Sequence, residues 1–205
     1  MRLVPDLRWD HNACYWPLLL RALPDRCARV LEVGCGAGGL ACVLAGRAAA
    51  VDALDRSPEM VALARARVPS NVRVVEADVL AVQLPAGGYD AVVGGSVLHH
   101  LPLDEALRAL ADAVRPGGVL AMVALPRTDP LRDLPVEALA AVLDRVVGLA
   151  RRVRGRRDSG TPGMPVRDPV LTTRQVRARA RAVLPGARVR RLLFWRYSLV
   201  WRRPG

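Results

Sequence analysis

The chain has 205 residues, enough for one well-buried domain and too few for two ordinary ones, and it holds no apolar run of about 18 residues such as a membrane-spanning helix needs. Its start, Met1 to Asp10, lacks the basic-then-apolar pattern of a signal peptide, and its four cysteines (Cys14, Cys27, Cys35, Cys42) form no C-x-x-C pair and no zinc spacing with the three histidines, so a cytoplasmic, metal-free protein with reduced thiols is expected. The net charge of +12 comes entirely from Arg, in a chain with no Lys and no Ile as a GC-rich coding bias favours, but residues 1–144 carry 14 Arg against 17 acids while 145–205 carry 17 Arg against 2, which leaves one strongly basic end.

Residues 1–28 read as an N-terminal cap segment rich in aromatic and polar groups, ahead of a core at 29–125 in which short apolar, β-branched runs alternate with helical stretches. The runs are Arg29–Val33, Ala50–Leu54, Val72–Glu76, Ala91–Gly94 and Val119–Leu125; the helices are Leu40–Gly46, Pro58–Arg67 and Leu103–Val114. Ser57-Pro58 supplies an N-cap and a proline at the first helical position, and Asp104 and Glu105 sit where the helix dipole favours acids. That order predicts βα-type units in a doubly wound parallel sheet. Residues 126–170 break the pattern with Pro126, Pro130 and Pro135, an Arg-rich helix near 137–153 and a Gly/Pro/Arg stretch at 155–169, so they read as an insertion and a substrate region. The end of the chain, 171–205, reads as a helix capped by Thr172, then two strands, Ala187–Phe194 and Tyr197–Arg202, turning through Trp195 and Arg196 as an antiparallel hairpin. One domain spans 1–205.

The sequence Val30-Leu31-Glu32-Val33-Gly34-Cys35-Gly36-Ala37-Gly38-Gly39 runs a strand into a glycine turn and a helix, where backbone can approach a nucleoside closely. Gly34, Gly36 and Gly39 satisfy a dinucleotide pattern, and Gly34, Gly36 and Gly38 satisfy the G-x-G-x-G of nucleoside-binding methyltransferases, so the loop by itself does not decide. Glu32 does more. An acid there repels a pyrophosphate and favours a methionine moiety that carries an ammonium and a sulfonium. Asp55 ends the next strand, where a carboxylate accepts from both ribose hydroxyls, and Ala77-Asp78-Val79 ends the third, where an Asp can take an adenine amino group between apolar neighbours. A short-chain dehydrogenase would need a catalytic Lys, which is absent.

With LEVGCGAGG (31–39), ALDRSPEMVALAR (53–65), EADVLAVQLPAGGYDAVVGGSVLHHL (76–101) and RPGGVLAMVAL (115–125) in that order and spacing, the chain resembles the class I S-adenosylmethionine-dependent methyltransferases, among them the ubiquinone and menaquinone biosynthesis enzymes and many small-molecule methyltransferases. The resemblance covers residues 30 to about 125. It implies a Rossmann-like, mostly parallel seven-stranded sheet with an antiparallel C-terminal hairpin, and S-adenosylmethionine as cofactor. It also implies that Gly34, Cys35, Gly36 and Gly38 hold the methionine end near Glu32, that Asp55 takes the ribose, that Arg56, Met60, Ala77 and Val79 surround the adenine with Asp78 at its amino group, and that Gly95 and Ser96 line the space between sulfonium and acceptor. Cys35 reads as a small packing residue of the loop.

Direct methyl displacement needs alignment and desolvation first; a base matters only when the acceptor must lose a proton, and the candidates are His11, His99 and His100. Trp9, His11 and Tyr15 can equally anchor a cap over cofactor and acceptor, with Trp9 and Tyr15 against the substrate. The expected partner is a small-molecule acceptor, anionic or lipid-soluble, with peripheral membrane contact through the Arg-rich quarter. Nucleic acid is the rival reading: Phe194, Trp195, Tyr197 and Trp201 lie among Arg, but they also fit a core-facing strand, and no N-P-P-Y or D-P-P-Y segment is present. A protein acceptor and a non-catalytic nucleoside-binding protein are the remaining alternatives.

Overall fold

The computed structural model describes residues 13–129, 133–136, 138–143, 146 and 168–205. Helices α1 (Trp16–Ala22), α2 (Gly39–Leu44), α3 (Pro58–Arg65) and α4 (Leu103–Ala113) alternate with strands β1 (Cys27–Val33), β2 (Ala48–Asp55), β3 (Val72–Glu76), β4 (Tyr89–Gly95) and β5 (Val114–Ala124). The helical positions at 133–136, 138–143 and 146 form α5. Helix α6 (Thr173–Val183) and strands β6 (Arg188–Leu192) and β7 (Arg196–Arg202) close the chain.

The seven strands lie in the order β3-β2-β1-β4-β5-β7-β6. Pairing is parallel from β3 to β5 and antiparallel between β5 and β7 and between β7 and β6. The expected doubly wound sheet with its antiparallel hairpin is therefore what forms. Both faces of the sheet are covered, so the central strands are apolar at successive positions and not merely at alternate ones. Leu31, Val33, Val92, Leu120 and Met122 meet α4 and α6 on one face; Val30, Ala91, Val93, Ala121 and Val123 meet α1, α2 and α3 on the other. Strand order reverses between β1 and β4, and at such a switch point the loops leave in opposite directions and open a crevice beyond the carboxyl ends of the strands.

Side-chain caps start two of the helices, α3 and α6. Ser57 accepts from the Met60 amide with Pro58 beside it, and Thr172 with Gln175 forms a reciprocal capping box for α6. Several expectations need correcting. The cap segment contains a helix, α1, whose Leu19 is fully buried, so residues 16–22 belong to the core. No helix separates β3 from β4. Strand β5 starts at Val114, directly after α4, because Gly117 takes φ +74° and Gly118 lies where a Cβ would be 2.7 Å from the Asp90 carbonyl; the R-P-G-G run, which reads as a breaker, is pulled into the sheet. The hairpin turns through Leu193–Trp195, starting two residues before the expected Trp195-Arg196, with Phe194 and Trp195 both left-handed (φ 50° and 56°). Tyr197 and Trp201 are buried in the core, which removes them as base-stacking surfaces. Described helical residues of α5 are present from Asp133, ahead of the expected 137; most of the expected 155–169 stretch lies outside the described residues.

A buried polar network pins β2 on the α4 face. Asp52, 4% exposed, accepts from Arg29 Nε (2.9 Å), Arg73 Nε (2.7 Å) and the Tyr89 hydroxyl (2.9 Å). Beside it Asp90 accepts from the Arg29 amide (2.7 Å) and pairs with Arg115 Nε (2.6 Å). Burial would raise the Asp52 carboxyl, but the hydrogen bonds from Arg73, Tyr89 and Arg29 outweigh it and hold the group below the usual carboxylate range.

Candidate cofactor and acceptor site

The glycine loop sits at the switch point. Gly34, Gly36 and Gly38 all have left-handed backbone (φ 68°, 52° and 77°), which only glycine adopts without strain. Gly34 also faces Val97: a Cβ there would lie 2.6 Å from Val97 Cγ2, so the loop after β1 and the segment after β4 touch directly. The amides of Gly34 and Cys35 donate to the Leu54 carbonyl, and the Gly36 amide donates to Asp55 Oδ2 at 2.8 Å. The other Asp55 oxygen accepts from the Ser57 amide at 2.9 Å. Each carboxylate oxygen has two lone pairs, so this acid organises the loop and can still accept from ribose hydroxyls.

Glu32 is 2% exposed at the end of β1, and its Oε2 has no hydrogen-bond partner among the described residues. Burial, and then the neighbouring Asp55, push its carboxyl well above the usual range. A buried acid without a donor is costly unless a ligand supplies one, and an ammonium would. Cys35 is buried with its thiol pushed up by burial, Glu32 and Asp55, which makes it an inert packing residue. On the adenine side, Asp78 is exposed and accepts from the Leu80 amide (2.9 Å), the Ala77 amide donates to the Asp55 carbonyl (2.9 Å), Arg56 is exposed, and Val79 and Met60 are buried at 6% and 1%. These donors, acceptors and glycines fit S-adenosylmethionine: a buried carboxyl with an unpartnered oxygen for its ammonium, an acid for its ribose and a second acid for its base.

Beyond β4 the chain makes a sharp exit. A Cβ on Gly95 would meet nothing within 4 Å, Ser96 takes a left-handed φ of 58°, and its amide donates to Val123 at 2.7 Å. The following 3₁₀ turn, Leu98–His100, buries Leu98 and leaves His99 and His100 half-buried with ring centroids 4.2 Å apart. Two of the three candidate bases thus stand at the switch point. His11 and Trp9 lie outside the described residues. Tyr15 is described, and its hydroxyl donates to the Leu193 carbonyl in the β6–β7 turn, so it ties the leader to the hairpin.

Three nearby residues escaped sequence reasoning. Trp16 covers the glycine loop, since a Cβ on Gly39 would lie 2.9 Å from its indole edge; Trp9 drew attention instead because it stood in a polar cluster. Arg191 and Arg196 flank the turn that Tyr15 holds, and only the general basicity of the C-terminal quarter hinted at them.

Comparison with known proteins agrees with this geometry. A family profile described as a methyltransferase domain matches residues 30–118. The chain is similar to an uncharacterised methyltransferase of Mycobacterium tuberculosis, at 37% identity over 202 residues, 97% of this chain and 99% of that one. It is also similar to a ubiquinone biosynthesis O-methyltransferase of Xanthomonas campestris, at 42% identity over 113 residues, 52% of this chain and 46% of the other. Among solved structures, DhpI in complex with SAH superposes with a TM-score of 0.65 at 26% identity, covering 99% of this chain and 88% of DhpI. With its glycine loop, buried Glu32 and paired strand-end acids, the chain belongs to the class I S-adenosylmethionine-dependent methyltransferases.

Proposed function

We propose that this methyltransferase modifies a small-molecule acceptor in the cytoplasm, with the acceptor lying over β4 and β5 between the His99-His100 turn and the β6–β7 turn. The observation that carries the reading is the contact of the Gly34 loop with Val97, which sets the methionine end of the cofactor site directly against the turn that bears the two histidines. The relatives support it: one acts, by its name, in ubiquinone biosynthesis. Cys14, Cys27, Cys35 and Cys42 are free thiols, which suits a reducing compartment. Among the described residues no helix is long and apolar enough to cross a membrane.

When bound, S-adenosylmethionine supplies an electrophilic methyl group on a sulfonium, so the chemistry needs alignment and dehydration before anything else. Glu32 would take the ammonium of the amino-acid end, seated against the Gly34–Gly38 backbone, Asp55 the ribose hydroxyls and Asp78 the adenine amino group, with Arg56, Met60, Ala77 and Val79 around the ring. Gly95 and Ser96 would leave room beside the methyl group, and Trp16 and Tyr15 would cover the opening, with Trp9 and His11 proposed from the sequence alone for the same cap. His99 or His100 takes the proton that a hydroxyl or phenol acceptor loses.

The test is a titration with S-adenosylmethionine, S-adenosylhomocysteine and NADH followed by melting, then incubation of the loaded enzyme and methyl-labelled cofactor with a metabolite extract. The reading expects stabilisation by the first two, about 2.7 kcal/mol at 100 times the dissociation constant, and label in a low-mass product. Label in RNA or protein alone, with strong salt dependence, would overturn the acceptor class.

A second proposal concerns location. Leu134, Leu139, Val142 and Val146 of α5 are exposed by 52–67%. Leu139, Val142 and Val146 recur at helical spacing, with Arg145 between the last two and Arg151, Arg152 and Arg154 following in the sequence. An apolar stripe beside a basic run suits an anionic bilayer, where a lipid-soluble acceptor would be found.

A further inference from the structure

The β6–β7 turn is built in an unusual way. Two large aromatic residues in succession, Phe194 and Trp195, hold left-handed backbone where tight hairpins normally place Gly, Asn or Asp. Such strain persists only where surrounding contacts hold it, and it concentrates at functional sites. The contacts are visible here. Arg196 Nη1 donates to the carbonyls of Phe194 (3.3 Å) and Trp195 (3.5 Å), and Tyr15 donates to the carbonyl of Leu193. On the other side of the turn, Arg191 Nε stands 3.8 Å from Asp133 of α5, both side chains being 14% exposed. Arg191 and Arg196 leave the sheet from opposite faces, since Leu192 pairs with Arg196 and Arg191 with Tyr197, so they straddle the turn. Burial pushes the Tyr15 hydroxyl up, and the charges of Arg196 and Arg191 oppose that effect.

The place of this turn gives the charges a use. Gly95 pairs with Val123 and Ala124 with Tyr197, so the turn rises from the same edge of the sheet as the glycine loop and the His99-His100 segment. Between β4 and the hairpin lie two to three strand spacings, about 10–14 Å at roughly 4.8 Å each. Arg188 and Arg190, on the same strand, are exposed and serve as ordinary charged edge residues. Arg191 and Arg196 are instead half-buried, where a guanidinium loses hydration and gains most from an oxyanion.

The geometry points to an oxyanion subsite on the β6–β7 turn, formed by Arg191 and Arg196 and braced by Tyr15, that holds a carboxylate or phosphate of the methyl acceptor about 10–14 Å from the atom that is methylated. This rests on the small-molecule reading above and narrows it to anionic acceptors. Asp133 orients Arg191 and offsets part of the charge, so a doubly charged phosphate gains more than a carboxylate does.

The test uses the full chain with S-adenosylhomocysteine bound, and three added salts at matched ionic strength: sodium phosphate, sodium benzoate and sodium chloride. Expected is a rise in melting temperature with phosphate or benzoate over chloride, and the stronger of the two names the head group. In the Arg191→Met/Arg196→Met variant the half-saturating concentration rises at least tenfold while S-adenosylhomocysteine binds as in wild type. Arg188→Met/Arg190→Met keeps the wild-type response. Equal effects of all three salts on the wild type would overturn the subsite without needing any variant, as would loss of the response in the Arg188/Arg190 control. Failure of S-adenosylhomocysteine to bind the wild type would instead strike at the cofactor reading itself.

Discussion

The Asp55 carboxylate receives the Gly36 amide on one oxygen, at 2.8 Å, and the Ser57 amide on the other, at 2.9 Å. One side chain at the end of β2 therefore shapes the glycine loop and the entry to α3 before any ribose arrives. Asp55→Ala removes both bonds, each worth about 1.5–3 kcal/mol for a charged acceptor. Asp55→Asn keeps the volume but turns an NH2 group towards one of the two amides. Both variants are expected to bind S-adenosylhomocysteine at least tenfold more weakly by calorimetry, and Ala to melt earlier than Asn. An Asn variant with wild-type affinity would remove Asp55 from the ribose site.

Gly34→Ala places a methyl group 2.6 Å from Val97 Cγ2 and forces a non-glycine residue to φ 68°. The backbone strain alone is about 1–2 kcal/mol, and the clash adds to it. Val97→Gly in the same chain removes both close atoms, Cγ2 at 2.6 Å and Cβ at 2.7 Å, and leaves the strain. The double variant should therefore recover part of the lost stability in urea melts and little of the cofactor affinity. If the double variant is no more stable than Gly34→Ala, the contact between loop and Val97 is not what the geometry indicates.

Glu32, Gly34, Asp55 and Asp78 were legible because each stands at the end of an apolar run, and a parallel sheet brings such ends to one edge whatever the loops do. Trp16, Arg191 and Arg196 were not, because their neighbours lie far off in the chain: Trp16 meets Gly39 and Tyr15 meets Leu193, 178 residues away. Val114–Gly118 failed for another reason. Pro116, Gly117 and Gly118 are local breakers, and only the pairing of Tyr89 with Val114 and of Gly117 and Gly118 with Arg203 makes them strand. The turn at Leu193–Trp195 starts two residues before the expected one because aromatic residues in left-handed backbone have no sequence signature.

Glu32 makes cofactor binding a proton-linked event. Burial and Asp55 raise its carboxyl in the free protein, and a cation seated beside it pulls the value back down, so a proton leaves when the ammonium arrives. Affinity for S-adenosylhomocysteine should accordingly rise with pH until the free-state value is passed, and level off above it. Calorimetry at a series of pH values in buffers of different ionisation enthalpy should show proton release that fades as pH rises, which Glu32→Gln abolishes while weakening affinity. A wild-type binding enthalpy that does not depend on the buffer would sink this account.

The exposed stripe of α5 gives the location proposal a direct check. Wild type should co-sediment with phosphatidylglycerol vesicles and not with phosphatidylcholine vesicles, because the apolar contact is small and the basic sequence beside it supplies the rest. Leu139→Gln/Val142→Gln, both at exposed sites, should keep the melting temperature within a degree or two and lose the sedimentation. Retention of binding by that variant would assign the effect to charge alone.

Asp52 and Tyr89 set the two ends of the stability profile in opposite senses. The Asp52 carboxyl is lowered in the folded state, so its contribution is complete above the unfolded value near 3.9 and is lost as pH falls through the folded value. Tyr89 is raised to about 12, first by burial and then by its bond to Asp52, so the folded state keeps a proton that the unfolded chain releases near pH 10, and stability falls as pH climbs from there to about 12. Asp52→Asn should flatten the acid limb and lower stability at pH 7, since Arg29 and Arg73 lose their shared acceptor. Tyr89→Phe should cost about 1–1.5 kcal/mol at pH 7 and flatten the alkaline limb. Urea melts across pH 3–11 measure both, and an acid limb unchanged in Asp52→Asn would mean that another carboxylate governs acid unfolding.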